Sequence, residues 1–408
     1  MPTQRYIERS LEPVVKRAAS EFPAVVLTGP RQAGKTTLLQ RVFGASYRYL
    51  SLDLPDVRAA ALDDPRGFLE MNGPPVIFDE VQHAPSLLPY IRERIDADRG
   101  AHGRYLLTGS QNLMLAEKVT ESLAGRAAVL RLFPLSRREA EGRPGLGLPW
   151  EGGSEGRAEP GAAFGDLWHS FLRGGYPELA ANPGRDPFLW HASYMQTYLE
   201  RDVRTVRNVG DLNQYQSFLR VLAARCAQLL NLADVARDLG VAVNTAKAWL
   251  SMLEATYQVV VLRPYFANVG KRLVKTPKVY FTDVGTLCHL VGLRDPEHAA
   301  SGPMRGPIME TAVLSEITRT LTHRGEAPRV YFWRTRAGTE VDFVIEAGGQ
   351  LVPIEVKASA TPRPAMARPI RTLQRDLGEA AVPGYVVHPG DVRLPLGQGA
   401  TALPFGEL

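Results

Sequence analysis

The sequence predicts an α/β protein: a parallel sheet with helices on both faces, then a helical region, then a second and smaller α/β domain. Three observations predict it. From Pro23 to about Glu139, short apolar strings alternate with helical patterns. A glycine-rich loop, Gly29 to Thr36 (GPRQAGKT), lies between the first string and the first helical pattern. After Gly302 the order becomes helix, strand, strand, strand, helix, strand.

The bulk properties fit that class. The chain has 408 residues, 45% hydrophobic and 22% charged, the balance of a soluble globular protein with two or three domains. A net charge of +5 permits nucleic-acid contact without marking it. Cys226 and Cys288 stand far apart, which excludes a disulfide framework and a cysteine-rich metal site. The opening MPTQRYIERSLEPVVKRAAS is charged and lacks the apolar core of a signal peptide, and no stretch approaches the length of a membrane span. A cytoplasmic protein with no membrane partner is expected.

The elements follow in order. AVVLTG, YRYLSLD, VIFDEV, RYLLTGS and AAVLRLF read as strands, separated by helical segments such as PSLLPYIRERIDADR. They make residues 1–141 the first domain, an α/β core built around the glycine loop. Residues 142–165, rich in Gly, Pro and Glu, read as a flexible connection. Residues 166–230 read as a helical lid region. Within 231–300, LADVARDLG and VNTAKAWLSMLE read as a helix-turn-helix with Gly240 at the turn, followed by a β-wing. Residues 301–408 form the last α/β domain.

The glycine loop matches GxxxxGK followed by Ser or Thr in the strand-to-helix context that this motif requires. Gly29, Pro30, Arg31, Gln32, Ala33, Gly34, Lys35, Thr36 and Thr37 can wrap the phosphates of ATP with backbone N–H groups and a helix N-terminus. Lys35 can reach the β and γ oxygens, and the Thr36 hydroxyl can hold Mg²⁺. VIFDE supplies two carboxylates at a strand end: Asp79 for the Mg²⁺ shell and Glu80 to polarise the attacking water. In LLTGSQN, Ser110 or Gln111 can sense the γ-phosphate or simply cap a turn. Arg126, in ESLAGR, can be an arginine finger for a neighbouring subunit or an ordinary surface arginine.

On the second helix of the helix-turn-helix, Asn244, Thr245 and Lys247 lie where a recognition helix presents side chains to a major groove. Lys271, Arg272, Lys275 and Lys278 fall in the wing, where their charges can track a phosphate backbone. Lids and protein contacts use the same architecture.

EVDFVIEAGGQLVPIEVK, residues 340–357, reads as a hairpin turning at Gly348 and Gly349. Its register places Asp342 opposite Glu355 and Glu340 opposite Lys357 on one face. Val341, Phe343, Ile345, Val352, Ile354 and Val356 share the other. Like charges directly opposite destabilise a sheet, and a divalent cation would relieve them. Lys357 points the same way and can orient a water, which outlines a nuclease site. A plain Glu340–Lys357 ion pair, with Asp342 and Glu355 solvated or paired to Arg334 or Arg336, is the alternative. Pro353 argues for an edge strand or a bulge.

These stretches carry resemblances. The loop and VIFDE, with the strand YRYLSLD between them in sequence, resemble the additional-strand, catalytic-glutamate class of P-loop ATPases that includes AAA+ proteins. Asp342, Glu355-Val-Lys357 and the preceding helix resemble the PD-(D/E)xK restriction-endonuclease and Holliday-junction-resolvase superfamily; that resemblance implies a further metal ligand on the helix, Glu310 before Glu316. As a whole, GPRQAGKTT, VIFDEVQ, LLTGS, ESLAGR, FLRGGYPEL, YLERDV, YFTDVG and EVDFVI with PIEVK resemble a widespread prokaryotic family of AAA-type ATPases. In that family a P-loop domain, a winged helix and a restriction-endonuclease-like C-terminal domain of uncertain function are joined. The resemblance implies ATP binding and hydrolysis. The expectation is an ATP-dependent DNA-processing protein, with DNA, duplex or branched, as partner, a Mg²⁺-dependent nuclease-like domain, and a homo-oligomer if Arg126 serves in trans. The alternative is a nucleotide-dependent switch with no nuclease activity.

Overall fold

Four strands of the computed structural model run parallel beside the one that feeds the glycine loop. The structure describes residues 6–110, 122–151, 164–198, 212–265 and 276–408. β1 (Ala24–Thr28), β2 (Arg48–Ser51), β3 (Val76–Asp79), β4 (Tyr105–Gly109) and β5 (Ala127–Arg131) form one sheet in the order β2-β3-β4-β1-β5. Every residue of β1 is buried, because the strand is central and covered on both faces. Val25 and Leu27 pack with Val15, Leu38 and Leu39 on one side. Ala24 and Val26 pack with Leu88, Ile91 and Ile95 on the other. The strand inserted in space between loop strand and acid strand is β4; β2, which intervenes in sequence, takes the sheet edge.

Residues 142–151 correct the expectation of a free connection. Leu148 is fully buried, Trp150 packs against Tyr385 with ring centroids 6.0 Å apart, and Glu151 clasps Arg324 at 2.6 Å. Two large apolar side chains in a Gly/Pro-rich stretch are enough to pin it to the C-terminal region.

The helices Leu232–Leu239 and Val243–Ala255 meet at Gly240, whose left-handed φ of 66° ends the first helix. The second helix buries Ala246, Trp249, Leu250 and Leu253, and so leaves Asn244 and Lys247 exposed on the opposite face. β6 (Val259–Leu262) and β7 (Lys278–Phe281) pair antiparallel after it.

Last come the helix Arg305–His323, β8 (Val330–Arg334), β9 (Glu340–Ala347), β10 (Gln350–Val356), the helix Arg368–Leu377 and β11 (Gly384–His388). The short β12 (Leu394–Pro395) and β13 (Ala400–Pro404) extend the sheet to the order β12-β13-β11-β10-β9-β8. Gly348 and Gly349 both have positive φ, 57° and 79°, as a two-residue hairpin turn requires. The observed pairs, from Gln350 with Ala347 to Ile354 with Phe343, keep the register read from the sequence.

Two hairpin details differ from expectation. Pro353 lies in an interior strand between β9 and β11. It is tolerated because its pair with Val344 falls where antiparallel strands exchange no hydrogen bond, and regular pairing to β11 starts only at Ile354. The face carrying the acids is also buried: Val344 and Leu351 pack on Leu373 of the helix Arg368–Leu377. The clustered charges are thus confined to the open end of the hairpin, while Glu346 near the turn pairs with Arg329 at 2.9 Å.

Candidate functional site

Between β1 and the helix Lys35–Phe43 the chain wraps into the phosphate loop. At Gly29, φ is 145° and a Cβ would stand 2.0 Å from the Leu132 carbonyl oxygen, so only glycine fits. Gly34, with φ of 93°, starts the helix from a left-handed residue. Lys35 is buried and donates to the carbonyls of Gly29 at 3.0 Å and Pro30 at 2.9 Å. These neutral acceptors are weaker than phosphate oxygens, so the ammonium can exchange them for a ligand.

The Thr36 hydroxyl donates to Asp79 Oδ1 at 2.8 Å. Tyr49 donates to the other oxygen at 2.8 Å, and Thr108 also binds Oδ1. Burial and the Asp79 bond push the Tyr49 phenol up to about 12, which keeps it a donor. A hydroxyl and a carboxylate side by side at the mouth of a phosphate loop suit the hard-oxygen coordination of Mg²⁺.

Glu80 has a left-handed backbone, φ 57° and ψ 51°, a strained conformation for a non-glycine residue. Its N–H donates to Thr108 Oγ1 at 3.0 Å. Its Oε2 accepts from Gln82 and, at 3.2 Å, from Ser110. Burial opposes ionisation of this carboxyl, but Lys35, Gln82, Arg31 and Ser110 together hold it below the usual range. Ser110 therefore stands against the carboxylate predicted to polarise water. Gln111 lies outside the described residues.

A cavity of about 510 Å³ opens over the loop, lined among others by Tyr6, Arg9, Lys35, Thr36, Glu80 and Pro177. Arg9 is a contributor that sequence reasoning missed. It is buried, donating to Ala33 O at 2.8 Å and Phe133 O at 2.6 Å, with Glu139 at 3.3 Å. Pro177 and Glu178, in the stretch FLRGGYPEL, bring the helical region to the same cavity. Gln82 was also missed, although VIFDEVQ contains it.

Arg126 sits at the start of β5, beside the start of β1. That is the opposite end of the sheet from the loop, about 17 Å away at 3.3 Å per residue. Asp96 clasps it through two bonds, 2.8 and 2.9 Å.

The second candidate site lies at the charged end of the hairpin. Asp342 Oδ2 accepts the Val356 N–H at 2.8 Å, which closes the ladder where β10 leaves β9; Lys357 N–H instead reaches Val387 O of β11. The expected Glu340–Lys357 pair is therefore replaced. Lys357 binds Glu355, while Glu340 binds Arg334 at 2.7 Å and Lys278. Glu310 accepts from Tyr280 at 2.8 Å and lies 3.6 Å from Lys278. Glu355 Oε2 is buried with no hydrogen-bond partner among the described residues.

Burial raises the carboxyls of Glu310, Asp342 and Glu355, and for Glu310 and Glu355 the Asp342 charge adds to it. Among the described residues, no three His, Cys, Asp or Glu side chains converge closely enough to hold a metal ion. Glu316 is elsewhere: it accepts the Arg137 N–H at 2.9 Å.

Lys278 corrects the reading of the wing. It is 3% exposed and turned into the acid cluster, because β7 packs against the C-terminal sheet there, with Tyr280 on Phe343 at 5.7 Å. Lys271, Arg272 and Lys275 lie outside the described residues.

The sheet order, the phosphate loop and the acid pair at the end of β3 define a P-loop ATPase domain of AAA type, and residues 21–141 match the AAA domain family. Two domains of unknown function match the remainder, DUF8612 over residues 165–297 and DUF4143 over residues 305–408. The chain belongs to the family of the uncharacterized proteins Rv2008c of Mycobacterium tuberculosis and Mb2031c of Mycobacterium bovis. Each is 33% identical to it over 398 residues, covering 97% of this chain and 82% of the relative. Among solved structures, a Walker-type ATPase of Pyrococcus abyssi is similar at 16% identity with a TM-score of 0.46, covering 71% of this chain and 98% of that one. Among the described residues no helix is long and apolar enough to cross a membrane.

Proposed function

We propose that the protein is an ATP-hydrolysing switch that acts on DNA, in which the nucleotide sets how the helical and C-terminal regions pack on the ATPase core. The observation that carries this reading is the composition of the nucleotide cavity. Arg9, Pro177 and Glu178 share it with Lys35 and Glu80, so a bound nucleotide touches the parts that would move. Lys35 would leave two carbonyls for the β and γ oxygens. Thr36 and Asp79 would hold Mg²⁺, which supplies charge neutralisation on the phosphates. Glu80, ionised and held by Gln82 and Ser110, would accept the proton of the attacking water.

DNA would meet the exposed face of the helix Val243–Ala255, through Asn244 and Lys247. A homo-oligomer using Arg126 in trans would first have to break its clasp with Asp96. Nuclease action is the second reading, supported by the unpaired, buried Glu355 oxygen beside Lys357.

The test is ATPase and cleavage on duplex, single-stranded and four-way DNA. Glu80→Gln is expected to keep ATP binding and lose at least about a hundredfold in turnover, the scale of general-base removal. Lys35→Ala is expected to lose nucleotide binding. ATP hydrolysis that survives both substitutions and ignores every DNA would end this reading.

A further inference from the structure

The acid pocket of the C-terminal domain contains a cation of its own. Lys278 opens β7, with its backbone bridged to Leu262 on one side and Leu229 on the other. Its ammonium lies over the Phe332 ring, 5.6 Å from the centroid, and binds Glu340 and Glu310. An ammonium buried this deeply loses several kcal/mol of hydration, which only close carboxylates offset. The backbone of Lys278 is thus fixed by β6 and by the isolated bridge to Leu229, and its head by two acids.

We propose that Lys278 is the resident cation of this pocket and stands in place of a divalent metal, which can enter only when that ammonium is withdrawn. The charges agree. Lys278, Lys357 and Arg334 face the carboxyls of Glu310, Glu340, Asp342 and Glu355. With all four carboxyls ionised, the state in which they would bind a metal, the acids outnumber the cations by one. A divalent ion added beside Lys278 would leave surplus positive charge in a buried site, whereas one exchanged for it would bring the pocket to neutrality.

The geometry agrees as well. In this arrangement the acids are divided between cations, Glu310 and Glu340 on Lys278 and Glu355 on Lys357, and they do not converge on one point. Glu355 Oε2 is the exception: 4% exposed as a residue, it is among the described residues the fully buried oxygen of the group that has no hydrogen-bond partner. It marks where a metal would gain its first free ligand. The inference concerns this pocket alone and does not depend on ATP hydrolysis or DNA binding.

Mn²⁺ titration calorimetry of the full chain, without nucleotide or DNA, tests it. Wild type is expected to show no Mn²⁺ binding that Glu355→Gln removes, and any rise in melting temperature in 1 mM Mn²⁺ through Thr36 and Asp79 is expected to be the same in wild type and Glu355→Gln. Lys278→Met keeps the stem and removes the charge; it is expected to bind Mn²⁺ at least tenfold more tightly than wild type. Adding Glu355→Gln should cancel that gain. If Lys278→Met folds poorly, Lys278→Gln removes the same charge while keeping a hydrogen-bond donor for Glu340, and should show the same gain. A Mn²⁺-dependent rise in wild-type melting temperature that Glu355→Gln abolishes would overturn the proposal. So would folded Lys278 variants with no gain in affinity.

Discussion

His323 and Glu139 meet at 3.1 Å through Nδ1 and Oε1, both fully buried, and join the last α/β domain to the ATPase core. The Phe133 N–H donates to His323 Nε2 at 3.0 Å, so the ring proton sits on Nδ1 and points at Glu139. The same carboxylate oxygen accepts from the Ser10 N–H at 2.8 Å and faces Arg9, which holds the Ala33 carbonyl of the phosphate loop. A continuous polar chain therefore runs from the end of the helix Arg305–His323 to the nucleotide loop.

Removing the charge at its centre should be felt at both ends. Glu139→Gln leaves Arg9 buried without its acid, and breaking a buried charged network typically costs about 3–5 kcal/mol. The urea midpoint is expected to fall accordingly, with weaker ATP binding as Arg9 loosens from Ala33. An ATP affinity equal to wild type in the folded variant would show that the chain does not reach the loop.

The chain also gives stability a pH dependence. Burial pushes the His323 imidazole down, and the Phe133 bond requires its Nε2 to stay unprotonated. For Glu139 burial acts upward, but His323 and Arg9 prevail and hold the carboxyl well below its usual range. Both groups have folded values below their unfolded ones, so the unfolded chain binds more protons as pH falls. Their contribution is full above about pH 6.5 and declines as pH falls below it, first through His323 and then through Glu139. The raised carboxyls of Glu310, Asp342 and Glu355 act in the opposite sense. The measurement is accordingly the difference in melting temperature between wild type and His323→Gln from pH 8 to 5. It should narrow steadily toward acid; a constant difference would contradict the assigned tautomer.

Asp283 and Arg319 explain two of the resembling stretches. Asp283, in YFTDVG, accepts the Gly175 N–H of FLRGGYPEL at 2.7 Å and pairs with Arg319 at 3.1 Å; Arg319 also donates to Leu135 O at 2.8 Å. At Gly175 a Cβ would lie 2.6 Å from the Leu135 carbonyl oxygen and 2.4 Å from the Arg319 guanidinium that this carbonyl holds, so the approach demands glycine. Asp283→Ala strands a buried guanidinium and should cost about 3–5 kcal/mol, read as a shift in the urea midpoint. A loss under about 1 kcal/mol, the scale of a surface pair, would mean that the junction is solvated.

Legibility followed the range of the interactions. The parallel sheet could be read because strands buried on both faces are continuous apolar strings, and the turn at Gly348 because the register of a two-residue hairpin is arithmetic. Thr36 and Asp79 could be read because motif chemistry names them. Arg9 could not: its partners are 24 and 124 residues away, and nothing local separates it from a surface arginine. Lys278 misled for the converse reason, since a basic residue in a ribbon looks solvated until a second sheet is known to cover it. Leu148 and Trp150 were hidden by the Gly/Pro-rich composition around them.

Gln82 tests whether the strained turn at Glu80 serves chemistry. Its amide donates to Glu80 Oε2 and to Ser110 Oγ at 3.3 Å, so it fixes the carboxylate between two donors, and among the described residues it makes no hydrogen bond to the phosphate loop. As a positioning residue it should act on turnover alone. Gln82→Ala is expected to lower kcat about tenfold with KM for ATP within twofold of wild type, the pattern of an interaction made in the transition state. Gln82→Glu should not rescue, because a second carboxylate would repel Glu80 and raise its pKa, moving the acid limb of the pH–rate profile upward. A rise in KM at unchanged kcat would place Gln82 in nucleotide binding and leave Glu80 oriented by Ser110 alone.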